Sequence, residues 1–505
     1  MITFSKFGNY GRLGNQLFQY ASLIGLGETF GKDVVLPKCD FAEYLENKPN
    51  IKGVSDCKLV QEKYYHYDVE QFKVVGNIDI VGWLQSEKYW QHCKDKVKKA
   101  LQFNAKKCNE LQGYQQKFFG KQSIAISVRR GDYVDNPNYA QLGADYYYLA
   151  MMQHIPNWQD CNILIFSDDI EYCKVHFECL PNVHFIEDLT PMQQLIVGSC
   201  CDHFIIANST FSWWLAYLGE KEHSKVIRPN YLFEGNLLKQ NDSKDFYPER
   251  WICYDHKNNK IDLKDTTFII PVSIDSTDRI ENINTCISYI NTYFDTNIII
   301  GEQGTDVINH SKVKFNYPKF HRTKMLNEMT KQANTPIVIN YDADVFLPPL
   351  QIWLSIDYIR NYVADYVYPY DGQFARVGRG FYNLINDKKD LGRLSKYTFK
   401  GTFKNDPNTP KSVGGAIAFN KQAYTKIGLE NERFISYAPE DIERFYRMAN
   451  TRRLKRIKGV IYHLDHEVTI NSSIGHSDYA NNVKVCNELT GLTMNELWRL
   501  IGQYQ

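Results

Sequence analysis

Two aspartates one residue apart close an apolar run in "INYDADVF" at 339–346. Carboxylates hold hard divalent cations, and a cation held there neutralises a diphosphate leaving group. Asp342 and Asp344 follow the run "PIVIN", and the carboxyl edge of a parallel sheet is where emerging chain meets ligands. A solvated turn or a helix cap would use the same pair, so the motif needs company. His463, after the run "KGVIY", is a candidate third metal ligand, with His466 as the alternative. A second constellation lies far upstream, in "ISVRRGDYV" at 126–134. Arg129 and Arg130 end another apolar run, with Asp132 just behind them. The planar guanidinium fork matches phosphate oxygens, so a metal-free site can use arginine where the other site uses a cation. Surface ion pairing is the competing reading.

Groups of this kind need strands that end at a common edge, and the chain supplies them. Short apolar runs alternate with helical patterns: "SIAISV", "NILIFS", "HFIIAN" and "KVIRP", then "TTFIIPV", "TNIIIGE" and "TPIVINY". Buried parallel strands between helices, an α/β class, explain this best. The 505 residues exceed what one core accommodates, so two domains are expected. The polar segment "YDHKNNKIDLKDT" places the boundary near residue 262, giving domains 1–262 and 263–505 with no internal repeat. Near the C-terminus, "NNVKVCNELTGLTMNELWRLI" has helical periodicity and reads as a packing helix, with an exposed docking helix as the alternative.

Lys+Arg number 59 against 58 Asp+Glu, a formal net charge of +1, so no basic excess points to nucleic acid. The 35 tyrosines suit flat, hydroxyl-rich ligands such as sugars, although half-buried packing explains most of them equally well. Twelve cysteines lack a C-x-x-C pair and read as reduced core thiols. No run reaches the roughly 18 apolar residues of a membrane span, and no basic-headed apolar leader opens the chain. A cytoplasmic, bacterial protein is the expectation.

Four further segments stand around the aspartate pair: "FHRTKMLNEM" at 320–329, "SVGGAIAFNKQAYTKIGL" at 412–429, "PEDIERFYR" at 439–447 and "VIYHLDHE" at 460–467. In this order they resemble the β-1,4-galactosyltransferases and chondroitin-type polymerases of the GT-A group, over nearly all of 266–470. The resemblance puts Phe320, Arg322 and Asn327 on the nucleotide side, Asp342 and Asp344 in the metal motif, and Gly414 and Gly415 in a turn over the sugar. It implies Mn2+ or Mg2+, a UDP-sugar donor and inversion. Inversion needs a carboxylate beside the acceptor hydroxyl to take its proton, and the family uses an E-D pair there, which makes Asp441 the expected base beside Glu440. An acidic first turn on a helix dipole would give the same two residues. The family's Trp-Gly-rich acceptor loop is replaced by "FISYAPED", which leaves the acceptor open. The resemblance makes galactose the leading donor sugar, with N-acetylgalactosamine or another hexose as alternatives.

Around the arginine pair, "NYGRLGNQLFQYA" at 9–21, "FSDDIEYCK" at 166–174 and "HFIIANSTFSWWLAYLG" at 203–219 follow the order of the bacterial α-1,2-fucosyltransferases, over about residues 1–250. That resemblance implies a GT-B-like fold, GDP-fucose, no metal, and an α-linked fucose placed on a terminal β-galactose. Arg129, Arg130 and Asp132 match the family's H-x-R-R-x-D motif, which puts the arginines near the GDP phosphates, and Ser127 stands where the family has histidine. Gly11, Gly14, Asn15 and Gln16 fit a turn and helix start lining the cleft, where backbone N–H groups approach a ligand. Asn208, Ser209, Thr210 and Ser212 read as the cap of a helix facing the nucleotide, ahead of a buried pair, Trp213 and Trp214. Asp132 is one candidate base among several acids.

The expectation is a bifunctional enzyme in which a metal-free α-1,2-fucosyltransferase precedes a metal-dependent hexosyltransferase. Its partners would be GDP-fucose, UDP-galactose or a related UDP-sugar, and a glycan or lipid-linked oligosaccharide acceptor. The competing expectation makes one half a non-catalytic glycan-binding module, or gives the second half an unrelated acceptor.

Overall fold

Residues 123–128, apolar at every position but the serines, form a fully buried strand because neighbours and helices cover both its faces. The computed structural model describes the chain except residues 54, 256–258, 305, 311, 383–384, 386–390, 392–411, 437–438, 468, 470–474, 491, 493–495 and 497–505. The described chain divides into two compact units, Met1–Lys174 with Leu180–Asn258, and Val175–Cys179 with Asn259–Gln505.

The first unit holds two parallel sheets. One comprises β1 (Ile2–Thr3), β2 (Val34–Val35), β3 (Lys58–Gln61) and β4 (Ile78–Val81) in the order β2-β1-β4-β3. The other comprises β5 (Ser123–Val128), β6 (Asn162–Ser167), β7 (Val183–Phe185), β8 (His203–Ile206), β9 (Val226–Pro229) and β10 (Ile252–Tyr254) in the order β10-β9-β8-β5-β6-β7. Connections from β5 run outward on one side and those from β8 on the other. The order therefore reverses between β5 and β8, and ligands of open α/β sheets bind outside the carboxyl ends of such a pair. In the smaller sheet the reversal lies between β1 and β4.

An aromatic core fixes the helices of this unit. Phe18, on the helix Leu13–Phe30, lies 4.5 Å from the ring of Trp213 and 5.2 Å from that of Trp214, both on the helix Thr210–Gly219. Both tryptophans are fully buried, as the sequence predicts. The Trp213 indole N–H donates to the Phe246 carbonyl at 2.9 Å, so its one polar atom is satisfied inside the core.

The second unit is built on a mixed sheet of seven strands. In chain order these are β11 (Ile261–Ser273), β12 (Phe294–Gln303), β13 (Lys312–Phe315), β14 (Ile337–Tyr341), β16 (Tyr366–Tyr368), β18 (Ala416–Asn420) and β19 (Leu454–Arg456). Their spatial order is β13-β12-β11-β14-β18-β16-β19. Beside it, β15 (Val345–Phe346), β17 (Gln373–Val377) and β20 (Val460–Leu464) form a small sheet in the order β15-β20-β17. The parallel part of the large sheet reverses between β11 and β14, and Asp342 follows β14 directly.

The α/β class read from the sequence holds. One strand starts earlier than its pattern suggests: Ile261–Leu263 of the polar segment pair with Phe294–Thr296, and the register shifts between Leu263 and Thr267. Pairing there needs only a backbone partner, which apolar periodicity cannot register. The C-terminal periodic segment contains the helix Tyr479–Thr490, whose Val485, Cys486 and Leu489 pack with Phe434, so its described part is a packing helix. All twelve cysteines are unpaired. Cys161, Cys173, Cys201, Cys286 and Cys486 are buried and Cys253 is exposed, so the core-thiol reading fits only part of the set. No helix among the described residues is long and apolar enough to cross a membrane.

Candidate active sites

In the first unit, the turn after β5 carries Arg129 and Arg130, and the turn after β8 carries Asn208 and Ser209, so both motifs stand at the reversal of strand order. Arg129 Nη1 lies 2.7 Å from Asp168 Oδ2, and its Nη2 also meets Asp132. The guanidinium sits 5.2 Å from the Tyr133 ring centre. Arg130 stacks its guanidinium 3.7 Å from the centre of the Tyr172 ring, and its backbone N–H donates to Asp168 Oδ1 at 2.8 Å. Both arginines are thus oriented by carboxylates and aromatic faces, as the ion-pairing reading required. A diphosphate would exchange places with those carboxylates. Asp168 and Tyr172 do this orienting, and the sequence motif alone assigns them no role. The signal was the pair of acids ending β6, the strand beside β5.

Asp132 also accepts from Arg12 Nη2 at 3.4 Å. Held between two guanidiniums, its carboxylate anchors the arginine turn. Ser127 does not leave a gap where the family has histidine, since its hydroxyl pairs with that of Ser212 at 2.8 Å in a buried contact. The capping role read for Asn208 to Ser212 needs correction. Ser209 occupies the N-cap position but its side chain accepts no capping bond. Asn208, nearly fully buried, donates to the carbonyls of Ala140 and Leu232 at 3.0 and 3.1 Å. Ser212 is committed to Ser127. Burial decides these partners, and a capping pattern in sequence does not report burial.

The start of the helix Leu13–Phe30 reaches the same place. A Cβ on Gly14 would lie 2.6 Å from the backbone of Thr210 and Phe211, so only glycine lets the two helix N-termini approach this closely. Their combined dipoles favour an anion in front of them. Gln16 Nε2 holds the Gly11 carbonyl at 3.2 Å, and Asn15 accepts from Gln85 at 2.8 Å. Gly14→Ala is expected to cost about 1–3 kcal/mol through overpacking. Calorimetry on the full chain should show one unfolding transition lowered by several degrees; an unchanged profile would mean that the helices slide apart freely.

In the second unit, Asp342 and Asp344 lie at the reversal between β11 and β14, in a cleft lined also by Pro271–Ser273, Phe320, Arg322, His463 and His466. The sequence left His463 and His466 as alternatives, and the structure brings in both. Their Nε2 atoms lie 3.4 and 3.3 Å from the two Asp344 oxygens. One ligand atom from each of these three residues falls within 4.8 Å of the others, an arrangement that fits a single cation. His463 also keeps a buried Nδ1 without a hydrogen-bond partner.

Asp342 stands outside that trio. A turn at Ala343–Asp344 sends its carboxylate to Arg322 Nη2, at 2.6 Å, while its N–H donates to the Gly415 carbonyl at 2.8 Å. Burial pushes the Asp342 carboxyl up, against the pull of Arg322. Arg322 Nη1 reaches Glu440 at 3.1 Å and Asp441 at 3.5 Å, so one guanidinium links the metal motif to the acid pair.

Glu440 and Asp441 open the helix Glu440–Asn450, which satisfies the dipole reading as well. Burial, then the adjacent Asp441 charge, pushes Glu440 up to about 8. Asp441 faces the Gly414 turn, where a Cβ on Gly414 would meet its Oδ2 at 2.8 Å. Arg444, almost fully buried, grips Asp441 on one side and Glu430 at 2.7 Å on the other. Breaking such a buried pair typically costs about 3–5 kcal/mol, so the helix start is held firmly. Asn327, which the resemblance puts on the nucleotide side, bonds the Glu430 backbone and Glu432, and so supports Arg444's partner.

The comparisons with known proteins bear on the first unit. Residues 5–254 match the model of glycosyl transferase family 11. The N-terminal half is thus a family 11 glycosyltransferase domain, with its arginine turn at the reversal of strand order. An α-1,2-colitosyltransferase of Escherichia coli is 26% identical over 289 residues, covering 48% of this chain and 96% of that one. A galactoside 2-α-L-fucosyltransferase of Caenorhabditis elegans is 22% identical over 279 residues, covering 47% and 76%. Among solved structures, the fucosyltransferase NodZ from Bradyrhizobium is similar at 11% identity and a TM-score of 0.32, covering 43% of this chain and 93% of that one. The family model and the curated relatives give the second unit no assignment.

Proposed function

We propose that the chain is a bifunctional glycosyltransferase. Residues 1–262, as a GT-B-like domain, transfer fucose from GDP-fucose to the 2-hydroxyl of a terminal β-galactose. Residues 263–505, as a GT-A-like domain, transfer a hexose, galactose foremost, from a UDP-sugar with inversion. The observation that carries the first activity is the arginine turn beside two abutting helix N-termini, within a region matching family 11. Three positive features around one spot suit a nucleoside diphosphate better than a neutral ligand. The names of the two curated relatives share the α-1,2 linkage and differ in the sugar, so GDP-colitose is the alternative donor.

Support for the second activity comes from the cluster of Asp344, His463 and His466 beside Arg322 and Asp441. Two imidazoles suit Mn2+ better than Mg2+, which prefers an oxygen octahedron. A cation bound there would neutralise the departing diphosphate. The chain's own residues do the rest: Arg322 holds Asp342 and the acid pair in register, Arg444 aims Asp441, and Asp441 takes the acceptor proton beside the Gly414 turn. The plausible setting is assembly of a surface polysaccharide or lipid-linked oligosaccharide.

Arg129→Ala or Arg130→Ala tests the first reading. Losing one charge-assisted phosphate contact costs about 2 kcal/mol, or about 30-fold in kcat/KM for GDP-fucose. Hexosyl transfer will be unchanged. Fucosyl transfer at the wild-type rate in both variants would place the diphosphate elsewhere.

A further inference from the structure

The smaller parallel sheet of the first unit has its own reversal of strand order, between β1 and β4, and the sequence reading gave it no chemistry. Tyr10 follows β1, Glu62 follows β3, and Trp83 follows β4, so three loops bring an aromatic pair and a carboxylate to one carboxyl edge. The Tyr10 and Trp83 rings lie 4.6 Å apart, and Trp83 is 38% exposed, unusual among the described tryptophans. Half-buried Glu62 accepts from the N–H groups of Trp83 at 2.6 Å and Leu84 at 3.2 Å. Leu84 has a φ of 54°, a strained value for leucine that this grip sustains.

This edge is tied to the arginine turn: two residues after Tyr10, Arg12 Nη2 donates to Asp132 at 3.4 Å. Asn15, beside the abutting helix starts, is bonded to Gln85, and Gln85 to Tyr65. Tyr65 packs on Phe233 at 5.3 Å, Phe233 on Tyr139 at 6.0 Å, and Tyr139 stacks on Tyr133 at 3.9 Å, next to Arg129. The Tyr10 edge and the arginine turn are thus joined both through Arg12 and through this run of aromatic rings.

Resting on the fucosyl reading of the first unit, we propose that Glu62 is the general base of that step and that Tyr10 and Trp83 form the shelf for the acceptor sugar. The exposed Trp83 ring, backed by half-buried Tyr10, takes the apolar face of a pyranose, leaving its hydroxyls toward Glu62. The acceptor oxygen attacks the anomeric carbon of fucose as that carbon's bond to GDP breaks. GDP leaves with the electron pair, and the hydroxyl proton passes to the Glu62 carboxylate and then to water. Burial pushes this carboxyl up to about 7, against the pull of its two backbone donors, which suits a base working near neutrality. The titratable groups facing it are the phenols of Tyr10, Tyr65 and Tyr89, all raised by burial, and neighbouring Lys63 points to solvent.

Glu62→Gln in the full chain keeps an acceptor oxygen for Trp83 and Leu84 and removes the base. With GDP-fucose and a β-galactoside, its kcat is expected to fall about 10²–10³-fold while GDP-fucose affinity, read by calorimetry, stays within about twofold. The acid limb of the wild-type kcat/KM profile, with its inflection near 7, will disappear. Trp83→Ala will raise the acceptor KM about tenfold with little change in donor affinity. Glu62→Gln with wild-type kcat and an unchanged acid limb would make the carboxylate a mere turn anchor. Should Glu62→Gln fail to fold, an unchanged acceptor KM in both Trp83→Ala and Tyr10→Ala still overturns the acceptor placement. A wild-type chain that binds no GDP-fucose overturns the fucosyl reading itself, and this role with it.

Discussion

Asp344→Asn will lower sugar transfer by the second unit on the order of 10³-fold and leave fucosyl transfer unchanged. Asp344 is the one carboxylate in the three-residue cluster, and both imidazoles approach its two oxygens. Asparagine keeps the volume and loses the charge, so two neutral rings would be left to hold a divalent cation. The fold should survive, because Arg279, 3.7 Å from Asp344, keeps its 2.9 Å contact with Asp275. Chelation is expected to reproduce the split on the wild-type chain. EDTA stops hexosyl transfer, manganese restores it, and fucosylation of a preformed galactoside continues throughout, since the proposed diphosphate site uses arginines and helix N-termini in place of a cation. Mn2+ binding, followed by electron paramagnetic resonance, should weaken in the variant. Fucosylation that stops in EDTA and returns with manganese would overturn the assignment of the cation to the second unit.

What could be read from sequence follows a physical divide. Strands covered on both faces announce themselves as apolar runs, so the ends of β5, β8 and β14, and with them Arg129, Asn208 and Asp342, were visible. Spatial partners were not. Whether His463 or His466 faced Asp344 depends on how β20 pairs with β15, where His463 lies opposite Val345 and the chain then curls back. That Asp342 turns to Arg322 depends on two residues of tight turn. Glu62 was invisible for a plainer reason. An isolated acid after a short, half-exposed strand has no pattern, and only the order β2-β1-β4-β3 brings it beside Trp83. In the helix Glu440–Asn450 the sequence pointed to Glu440 and Asp441 alone, and the buried pairing of Glu443, Arg444 and Arg447 behind them depends on packing that a charged pattern does not report.

The fusion itself leads to the strongest expectation about products. An α-1,2-fucosyltransferase acting on galactosides needs a terminal β-galactose, and the proposed activity of the second unit makes one. Given both donors and an acceptor without terminal galactose, the full chain is expected to yield a Fuc-α-1,2-Gal product. With GDP-fucose alone the same acceptor stays untouched. Tethering raises the local concentration of the second active site to about the millimolar range when the linker lets both reach one acceptor. Asp441→Asn is the decisive variant. The amide still accepts from Arg444 and faces the Gly414 turn, and it cannot take a proton. Loss of a positioned base costs about 10²–10⁴-fold, so the two-sugar product will vanish at practical enzyme concentrations. Fucosylation of preformed β-galactosides by the same variant will proceed at the wild-type rate, because Arg129, Arg130 and Glu62 are untouched. Mass spectrometry of the products, with linkage-specific galactosidase and fucosidase digestion, reads both outcomes. A second unit that adds a sugar the first refuses, or a two-sugar product that persists in Asp441→Asn, would sink the sequential scheme.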